Sequence, residues 1–496
     1  MSSIFLGFQT VASPMVLLFL VLGCVVGLVI GALPGLTGNM AIALMVPMTF
    51  GMQPSVGLAF LAAIYCSSIY GGSISAILLG IPGTISSFAT TLDGYPLAKQ
   101  GKAGLALGTS TMASVFGGLF SALVLMFLTP VLADFALKFG PGEYFAISLL
   151  GIACITSISG DNIPKGLLSG MIGLLIAVIG MDPQNGTPRL TFGNVNLLSG
   201  ISLVASLIGL FGIVSVMKTA EACKNVKTTS TMPTVDNVWI GWKECMRQFP
   251  VWLRASVIGT IVGIIPGAGT NVATFMAYDI EKKLSGDPDS FGNGNVNGVA
   301  APEAANNAVT GGSLVPLLAL GVPGNSTSAL FLGAIMIHGM RTGPVFFTEH
   351  PDIIYGLFIS IIIANIIMAP LGIFTLRYMK TILSVPEELL AGIILAFCVT
   401  GVFALATNPF DVLVLIVFGL IGYFCYKFKI PTAPMIVAMV LGSMTENNLR
   451  QTLIASKGSW NFLYTQPLTL TIVIIALLSF FFPFIAALIK KRTKKA

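Results

Sequence analysis

Long apolar runs separated by short polar stretches make up most of the chain. The runs lie near residues 14–33, 55–80, 103–133, 143–159, 164–181, 197–217, 255–277, 302–320, 326–338, 352–376, 387–405, 408–426, 430–442 and 468–489. Several of them are too short or too interrupted to form a simple span. Because a spanning helix needs roughly 20 apolar residues, the pattern predicts an all-α integral membrane protein with about 12 crossings plus re-entrant or broken helices.

The composition explains why lipid is the expected solvent. Of 496 residues, 55% are hydrophobic and only 9% are charged, whereas soluble domains carry about 25% charged residues. So few charges cannot cover a water-facing surface, but they suit a bilayer. The first apolar run, from Val16 to Ile30, follows no basic region and precedes no small-residue cleavage site. We therefore expect an uncleaved first span in a multi-pass chain.

Basic residues beside the apolar runs predict the orientation of the chain. The C-terminal tail, residues 490–496, has five positive charges and no acid, and the stretch 218–254 has six basic residues against three acidic ones. The positive-inside rule places both in the cytoplasm. We expect no nucleic-acid partner, because a short basic end after a last apolar helix is common in membrane topology.

The part of the chain after residue 254 resembles the part before residue 218. Three motif pairs recur in the same order, with offsets of 232, 240 and 241 residues. The pairs are Gly31–Asn39 with Gly263–Asn271, Gly71–Ser73 with Gly311–Ser313, and Gly80–Gly83 with Gly321–Gly324. Duplicated halves are typical of secondary transporters, and an odd number of crossings between the copies makes the repeats inverted.

The duplication divides the chain into four segments. We expect a first membrane repeat at residues 1–217, a cytoplasmic connecting loop at 218–254, a second membrane repeat at 255–489 and a basic cytoplasmic tail at 490–496.

Pro-Gly motifs interrupt apolar sequence in both halves, and polar residues follow each interruption. Such breaks must be buried or line a wet cavity, where half-helix ends offer N–H groups to anions and carbonyls to cations. The predicted substrate-binding residues are Thr37, Asn39, Thr84, Ser86, Ser87, Asn271, Asn325, Ser326, Thr327 and Ser328. The predicted coupling-ion residues here are Asn39, Thr270 and Asn271. Helix capping is the alternative, because the same residue types favour it.

The run Ala301–Ala308 places a carboxylate and two amides in apolar sequence. Glu303, Asn306 and Asn307 share one face of a helix, at positions i, i+3 and i+4. A buried acid needs a partner, which predicts a cation or proton site at these three residues beside the substrate. The alternative is a helix start, because Pro302 suits a first turn and Glu303 then lies at the positive end of the helix.

Other charged and glycine-rich stretches are less specific. We expect Asp93, Lys99 and Lys102 in a loop after the first break, with the lysines at the cytoplasmic end of a hairpin. His338 and Arg341 follow the second break, and Arg341 is left open between a topology marker and an anion contact. The stretch Glu446–Arg450 can form a local ion pair or a cap. Gly292–Gly298 lacks the strand and the Lys-Ser/Thr pair of a phosphate-binding loop, so we expect a loop that enters the next helix.

The supply of reactive side chains argues against an enzyme. The chain has two histidines, and its seven cysteines form no CxxC pair. A zinc site or a Ser-His-Asp triad is therefore poorly supplied, and the cysteines are expected as small buried residues. We expect no catalytic residue, no metal site and no cofactor other than Na⁺ or H⁺ as a coupling ion.

Five motifs together resemble the large membrane subunit of the tripartite tricarboxylate transporters. They are Gly31–Thr37, Gly71–Ile74, Gly80–Thr84, Val299–Ala308 and Leu441–Arg450. The resemblance covers nearly the whole chain, and the run Ala-Pro-Glu-Ala-Ala-Asn-Asn-Ala is the most specific part of it.

The resemblance implies a three-component system in a bacterial inner membrane. A periplasmic solute-binding protein captures a di- or tricarboxylate such as citrate, a small membrane subunit accompanies this chain, and this chain translocates the anion by symport with Na⁺ or H⁺. The alternatives are a passive anion channel and a stand-alone carboxylate carrier. By analogy with elevator-type carboxylate transporters, one bundle is expected to slide against a fixed scaffold.

Overall fold

The computed structural model describes residues 2–33, 36–159, 162–182, 184–222, 235, 237–267, 269–379, 381 and 387–493. These residues are almost entirely helical, with one two-stranded antiparallel sheet formed by β1 (Gly180–Met181) and β2 (Pro188–Arg189). The helices up to residue 222 are α1 (Ser2–Val11), α2 (Pro14–Ala32), α3 (Gly38–Thr49), α4 (Pro54–Leu79), α5 (Phe88–Lys99), α6 (Ala103–Ala136), α7 (Pro141–Ala153), α8 (Ile155–Ile158), α9 (Ile163–Ala177), α10 (Leu203–Ile208) and α11 (Val214–Ala222). A π-helical stretch, Gly209–Ile213, joins α10 to α11.

The remaining helices begin at Trp242. They are α12 (Trp242–Ile264), α13 (Gly269–Leu284), α14 (Asn297–Leu320), α15 (Ser326–Ile337), α16 (Pro344–Glu349), α17 (Pro351–Leu376), α18 (Glu387–Ala406), α19 (Pro409–Lys427), α20 (Ala433–Ala455), α21 (Phe462–Thr465) and α22 (Pro467–Thr493). Short 3₁₀ turns lie at Ile85–Ser87, Val195–Leu197 and Pro288–Ser290.

Six of the described helices are long and apolar enough to cross a membrane, and five shorter apolar helices accompany them. The six are Pro14–Ala32, Pro54–Leu79, Ala103–Ala136, Leu203–Glu221, Pro351–Leu376 and Pro409–Lys427. The chain is thus a helical, multi-pass membrane protein, as the apolar runs predict.

Two boundaries differ from the prediction. The stretch 218–254, expected as a loop, is helical at both ends, because α11 continues to Ala222 and α12 begins at Trp242. Residues 223–234 and 236 of that stretch lie outside the described residues, as do residues 494–496 of the basic tail. The apolar run 255–277 is divided between α12 and α13, which the Pro266-Gly267 pair separates.

The helices α4 and α14 form the centre of the molecule. Every residue from Val56 to Leu78 and from Gly298 to Ala319 is buried. Each helix ends at a glycine with left-handed backbone, Gly80 at φ 69° and Gly321 at φ 76°. Glycine adopts this conformation without the steric cost of a Cβ atom, so it stops both helices at a defined residue.

The helices α2 and α3 form a hairpin that reaches part of the way along α4. A Cβ atom on Gly23 would lie 2.6 Å from the carbonyl of Phe60, and one on Gly31 would lie 2.2 Å from the carbonyl of Ser68. Thus α2 runs in the same direction as α4, with glycines that allow close backbone approach. The return helix α3 begins near Ser68 and ends beside Gly57.

Beyond Gly80 the chain first turns back and then runs forward again. The Gly83 N–H donates to the carbonyl of Gly72 at 3.2 Å. The chain after Gly80 therefore returns about two helical turns along α4, toward the start of that helix. From there α5 runs alongside the end of α4, with Gly94 against Ile77. The result is a second re-entrant segment that approaches from the opposite end of α4.

The elements α12 to α15 repeat this arrangement around α14. A Cβ atom on Gly259 would lie 2.3 Å from the carbonyl of Ala305, and α13 folds back so that Arg254 pairs with Glu281 at 2.8 Å. After Gly321 the chain again turns back, which brings Gly324 beside Ser313.

The two hairpins enter the bundle from opposite ends. His338, which follows α15, lies beside Gly57 at the start of α4. We call this the Gly57 end. At the other end, the Gln100 side chain after α5 donates to the carbonyl of Asn293 at 2.8 Å, just before α14. We call this the Asn293 end. The hairpin α2–α3 opens at the Gly57 end, whereas α12–α13 opens at the Asn293 end.

Candidate functional site

Four interruptions of helices meet inside the bundle. We call them break 1 (residues 33–37), break 2 (residues 80–84), break 3 (residues 265–268) and break 4 (residues 321–325). Break 2 touches the last turn of α2, directly before break 1, because a Cβ atom on Gly83 would lie 2.2 Å from the carbonyl oxygen of Gly31. Breaks 3 and 4 touch through the Gly267 N–H, which donates to the carbonyl of Gly324 at 2.8 Å.

Two further contacts join the halves, so that the four breaks form a closed ring, which we call the four-break site. At the first turns of α3 and α15, the Asn39 amide donates to Ser326 Oγ at 2.8 Å and accepts a hydrogen bond from the Thr327 hydroxyl. On the other side, α13 packs against the 3₁₀ turn Ile85–Ser87. There the rings of Phe88 and Phe275 lie 6.1 Å apart.

A helix begins at each break. The first residues of α3, α13 and α15 directly follow breaks 1, 3 and 4, and α5 follows the 3₁₀ turn after break 2. The N-terminus of a helix carries unpaired N–H groups and a partial positive charge, which attract anions. The arrangement therefore directs four positive helix ends toward one region of the bundle.

Capping accounts for part of the predicted polar cluster. The Thr37 side chain accepts from the Met40 N–H at 3.3 Å, and Asn325 accepts from the Ser328 N–H at 2.8 Å. The capping alternative is therefore confirmed for these two residues. In contrast, Asn39, Ser326 and Thr327 bond to one another across the two halves, which a cap does not require.

The polar residues after break 2 form a buried hydroxyl cluster. Thr84 Oγ1 lies 2.7 Å from Ser87 Oγ and 3.1 Å from Ser86 Oγ, and all three side chains are buried. The polar residues after break 3 are less enclosed, since Thr270 is half-buried and Asn271, which corresponds to Asn39, is exposed. The structure thus brings Asn39 to Ser326 and Thr327, but it leaves Asn271 at the edge of the site.

Glu303 forms a separate centre. Its carboxylate is fully buried and accepts hydrogen bonds from Thr90, from Ser110 at 3.2 Å and from Ser114 at 3.0 Å. These donors lie on α5 and α6, so Glu303 joins the two halves. We call Glu303 and its three hydroxyl donors the Glu303 centre.

The alternative expectation of a helix start at Glu303 is wrong. Glu303 is the seventh residue of α14, which begins at Asn297, and therefore does not lie in a first turn. Pro302 is likewise inside the helix. Glu303 is about 15 Å along α14 from Ser313, which contacts break 4, but its donor Thr90 lies one turn from Ser87 in the hydroxyl cluster after break 2.

The neighbouring amides have unused hydrogen-bonding capacity. Both polar atoms of the Asn306 side chain and the Oδ1 of Asn307 are buried without a protein partner among the described residues. Such atoms cost free energy unless water or an ion satisfies them. They lie one turn along α14 from Glu303, so a cation or an ordered water there would have oxygen ligands available.

Sequence reasoning missed several residues that hold these sites together. Tyr65 OH is within hydrogen-bonding distance of Ser313 Oγ, at 3.0 Å, and accepts from the Asn325 amide at 3.3 Å, so it links α4 to α14 and to break 4. Ser110 and Ser114, four residues apart on α6, are the other omission. A polar pair at helical spacing inside an apolar run is the only sequence pattern that could have indicated them.

The structure also locates the other charged residues and the cysteines that the sequence pattern singled out. Asp93 is buried inside α5 and not in a loop, so that expectation is wrong. Lys99 lies 4.5 Å from the centre of the Tyr95 ring at the end of α5. Arg341 is exposed after α15. The six described cysteines are buried, as expected.

The stretch Glu446–Arg450 belongs to an ionic cluster. Arg450 pairs with Glu446 at 2.7 Å within α20 and with Asp182 at 2.8 Å, and Arg189 pairs with Glu446 at 2.5 Å. The local pair is therefore confirmed, and it extends to the loop around β1 and β2. The N–H groups of Gln184 and Asn185 and the Arg450 guanidinium lower the pKa of the Asp182 carboxyl.

Comparisons with known proteins agree with this description. A family model described as the tripartite tricarboxylate transporter TctA family matches residues 17–437. The chain is 34% identical to the uncharacterized 52.8 kDa protein in the TAR-I ttuC' 3' region of Agrobacterium vitis, over 99% of this chain and 98% of that protein. It is 36% identical to the uncharacterized protein in the TAR-II ttuC' 3' region of the same organism, over 44% of this chain and 94% of that protein. No solved structure matches the chain.

Proposed function

Because the chain belongs to the tripartite tricarboxylate transporter TctA family, we propose that it is a cation-coupled carrier of di- and tricarboxylates such as citrate. It performs no chemical step on the anion. It works with a periplasmic solute-binding protein and a small membrane subunit in a bacterial inner membrane.

The observation that carries this proposal is that four helices begin at the four-break site, where the breaks and the first helical turns contact one another in a ring. Peptide N–H groups at such ends bind carboxylates without a basic side chain. Hydroxyls and amides at Asn39, Ser326 and Thr327 add directed donors from both halves. An anion held between them contacts both repeats at once, which is what a carrier that alternates between two states needs.

The absence of basic residues at the breaks supports coupling to a cation. No Lys, Arg or His occurs in residues 31–39, 80–91, 263–271 or 321–328. A di- or tricarboxylate carries two or more negative charges, which are costly to bring into a bilayer without compensation. A cation carried together with the anion supplies that compensation.

We place the coupling ion at one of two groups of residues. Sodium would use oxygen ligands at the breaks, from Asn39, Thr270 and Asn271. A proton or a second cation would use Glu303 with Asn306 and Asn307, where a buried carboxylate and unpartnered amide oxygens lie one turn apart. Both groups join elements of the two halves, so the occupancy of either can be linked to movement.

We further propose that the two halves are inverted repeats within about 12 crossings. The support is that hairpin α2–α3 opens at the Gly57 end and hairpin α12–α13 at the Asn293 end. The backbone of Val238, just before α12, lies against Gly108 near the start of α6, so the basic stretch 218–254 and the Asn293 end share the cytoplasmic side. An elevator movement of the re-entrant hairpins against the other helices is the mechanism we favour.

The experiment is uptake of labelled citrate into proteoliposomes that contain this chain, the small subunit and the solute-binding protein. An inward sodium gradient or an inward proton gradient is imposed, with no gradient as the control. Saturable accumulation under either gradient supports the coupled carrier, and the effective gradient identifies the ion. Accumulation without the solute-binding protein supports a stand-alone carrier, and unsaturable flux without a gradient supports a passive channel.

The variant Glu303→Gln tests the second ion site. The amide keeps an oxygen for the hydroxyls of Thr90, Ser110 and Ser114 but cannot bind a proton or balance a cation. If Glu303 binds the coupling ion, gradient-driven accumulation falls to background while exchange of carboxylate for carboxylate persists. Glu143→Gln, at a carboxylate that caps α7, is the matched control. Unchanged accumulation in Glu303→Gln would remove Glu303 from the coupling mechanism.

A further inference from the structure

The glycine-rich stretch Gly292–Gly298 encloses an anion that belongs to the chain itself. The N–H groups of Gly292, Gly294 and Asn295 donate to Asp93 Oδ1 at 2.9, 2.9 and 2.7 Å. Gly292 and Gly294 have φ values of 89° and 101°, a backbone conformation that turns successive N–H groups toward one point. The loop therefore resembles an anion-binding nest, and the carboxylate of Asp93 fills it.

The second oxygen of the same carboxylate is also bound. The Tyr278 hydroxyl of α13 donates to Asp93 Oδ2 at 2.8 Å. A Cβ atom on Gly298, in the first turn of α14, would lie 2.1 Å from this oxygen, so only glycine leaves room for it. We call Asp93, Tyr278, Gly292, Gly294 and Asn295 the Asp93 clasp. It ties α5 of the first half to α13 and to the start of α14.

The Asp93 clasp is one turn away from the Glu303 centre. Thr90, which donates to the Glu303 carboxylate, precedes Asp93 by three residues on α5, so both side chains reach the second half from the same face of that helix. The clasp supplies four hydrogen bonds between α5 and the second half, whereas Thr90 and Gln100 supply one each. If the clasp opened, the Thr90 hydroxyl would move away from Glu303.

We propose that Asp93 is a positioning residue for the Glu303 centre. Its carboxylate holds α5 on the loop 292–295 and thereby keeps Thr90 in place to bond Glu303 when the coupling ion binds or leaves. This inference rests on the proposed function, because it assigns the coupling ion to Glu303. It predicts that the clasp affects the response to the ion and leaves binding of the carboxylate at the four-break site unchanged.

Two independent substitutions open the clasp. Asp93→Ala removes the carboxylate, and Gly298→Ala displaces it, since the added Cβ atom would lie 2.1 Å from Oδ2 and 2.6 Å from Cγ of Asp93. The conservative variant Asp93→Asn keeps an oxygen for the three N–H donors. Gly286→Ala is the matched control, because a Cβ atom there meets nothing within 4 Å.

The first measurement is carboxylate uptake by the complete three-component system, with the driving cation and the carboxylate varied in turn. For Asp93→Ala and Gly298→Ala we expect the cation concentration for half-maximal uptake to rise by about tenfold, as expected from the loss of a charge-assisted hydrogen bond. The carboxylate concentration for half-maximal uptake stays as in the wild type. Asp93→Asn and Gly286→Ala resemble the wild type.

The second measurement reports the clasp independently of transport. Gln100→Cys and Asn293→Cys are combined in a Cys223→Ser background, since the six described cysteines are buried and the two new thiols replace exposed residues in contact. A short bifunctional thiol reagent should join them rapidly. Asp93→Ala should slow this crosslinking, and the crosslink, once formed, should restore the cation response of Asp93→Ala.

The outcomes separate the two proposals. Unchanged crosslinking and an unchanged cation response in Asp93→Ala would overturn the positioning role, as would a parallel loss of cation and carboxylate response in Asp93→Ala and Asp93→Asn. A wild-type system that accumulates no carboxylate under any gradient would refute the proposed function and with it the coupling role of Asp93. In that case the crosslinking rate still decides whether Asp93 holds α5 against the loop 292–295.

Discussion

Asn39 uses both ends of one amide to connect the two halves of the molecule. Its nitrogen donates to Ser326, and its oxygen accepts from Thr327. A hydroxyl side chain cannot reproduce this pair of contacts with the same geometry. The residue therefore orders the first turn of α15 at the four-break site, where we propose that the anion binds.

Replacing Asn39 tests the four-break site at the residue scale. For Asn39→Ala we expect the carboxylate concentration for half-maximal uptake to rise about thirtyfold, because a hydrogen bond contributes roughly 1 kcal/mol, two are lost, and about 1.4 kcal/mol corresponds to a factor of ten. The cation concentration for half-maximal uptake should change less. Asn448→Ala, at an asparagine that bonds only within α20, is the control, and equal effects of the two variants would contradict a role for Asn39 in binding.

At the scale of elements, the breaks differ in how tightly they are packed. A Cβ atom on Gly83 would lie 2.2 Å from the carbonyl of Gly31, whereas one on Gly324 would lie 3.0 Å from the carbonyl of Ser313. Contacts below 3.0 Å with backbone require the break to shift, while a contact at 3.0 Å needs a smaller adjustment. Break 2 is thus packed against the end of α2 more closely than break 4 is packed against α14.

This difference predicts an order of stability. Gly83→Ala should lower the free energy of unfolding by about 1–3 kcal/mol, as overpacked sites do, and Gly324→Ala should lower it less. Thermal unfolding in detergent measures the order, with Gly51→Ala, where a Cβ atom meets nothing within 4 Å, as the reference. A Gly324→Ala variant less stable than Gly83→Ala would contradict the packing described for the breaks.

Ion pairs hold the loop that contains β1 and β2 against α20. The pKa of Asp182 is lowered, first by the N–H of Gln184 and then by Asn185 and Arg450. The folded state thus favours the ionised carboxyl. Its contribution to stability is present in full above the ordinary carboxyl pKa of about 4 and is lost as the pH falls through the lower folded-state pKa.

We therefore expect the loop to stay fastened until the pH falls below about 4. Pepsin cleavage within residues 184–198, followed from pH 5 to pH 2, measures its release. Asp182→Asn lacks the titrating group, so its cleavage should already be fast at pH 5 and should change little over this range. Cleavage of the wild-type loop that rises well above pH 4 would contradict the expectation.

At the scale of the whole molecule, the hairpins α2–α3 and α12–α13 enter the bundle from opposite ends. Each enters from one end, and their tips meet near the middle of α4 and α14. A site built this way is separated from both aqueous phases by a hairpin. We therefore expect movement of either hairpin, or of the whole re-entrant group, to expose the site to one side at a time.

Opposite entry can be tested by thiol labelling in a Cys223→Ser background. Gln100→Cys and Asn293→Cys, at the Asn293 end, should react with an impermeant maleimide only from the cytoplasm. Gly51→Cys, which lies beyond α3 near the start of α4, should react only from the other side. Labelling of all three from the same side would exclude the inverted arrangement, and a thiol in the C-terminal tail, which we expect in the cytoplasm, is the reference.

The helices were predictable because lipid leaves the backbone few alternatives. Apolar runs at 14–33, 55–80 and 352–376 correspond to α2, α4 and α17 within one or two residues. Proline supports the start of each of these helices, and glycine ends α4. The predicted break residues Asn39, Ser326 and Thr327 also follow from local sequence. A Pro-Gly pair in an apolar run leaves backbone groups unpaired, so it must be buried near polar side chains that can bond them.

By itself the sequence determined the membrane class, the family, the positions of the helices and the existence of paired breaks. Only the tertiary structure decided which break meets which, that Glu303 bonds Thr90 near break 2 but is about 15 Å along α14 from the contact with break 4, and that Asp93 is bound by a loop roughly 200 residues away. The physical reason is that helix formation in lipid depends on neighbours along the chain, whereas partners for buried polar groups come from whichever helix packing brings close. Hydroxyls such as those of Ser110 and Ser114 look the same in sequence whether they face a carboxylate or their own helix, and only packing distinguishes the two.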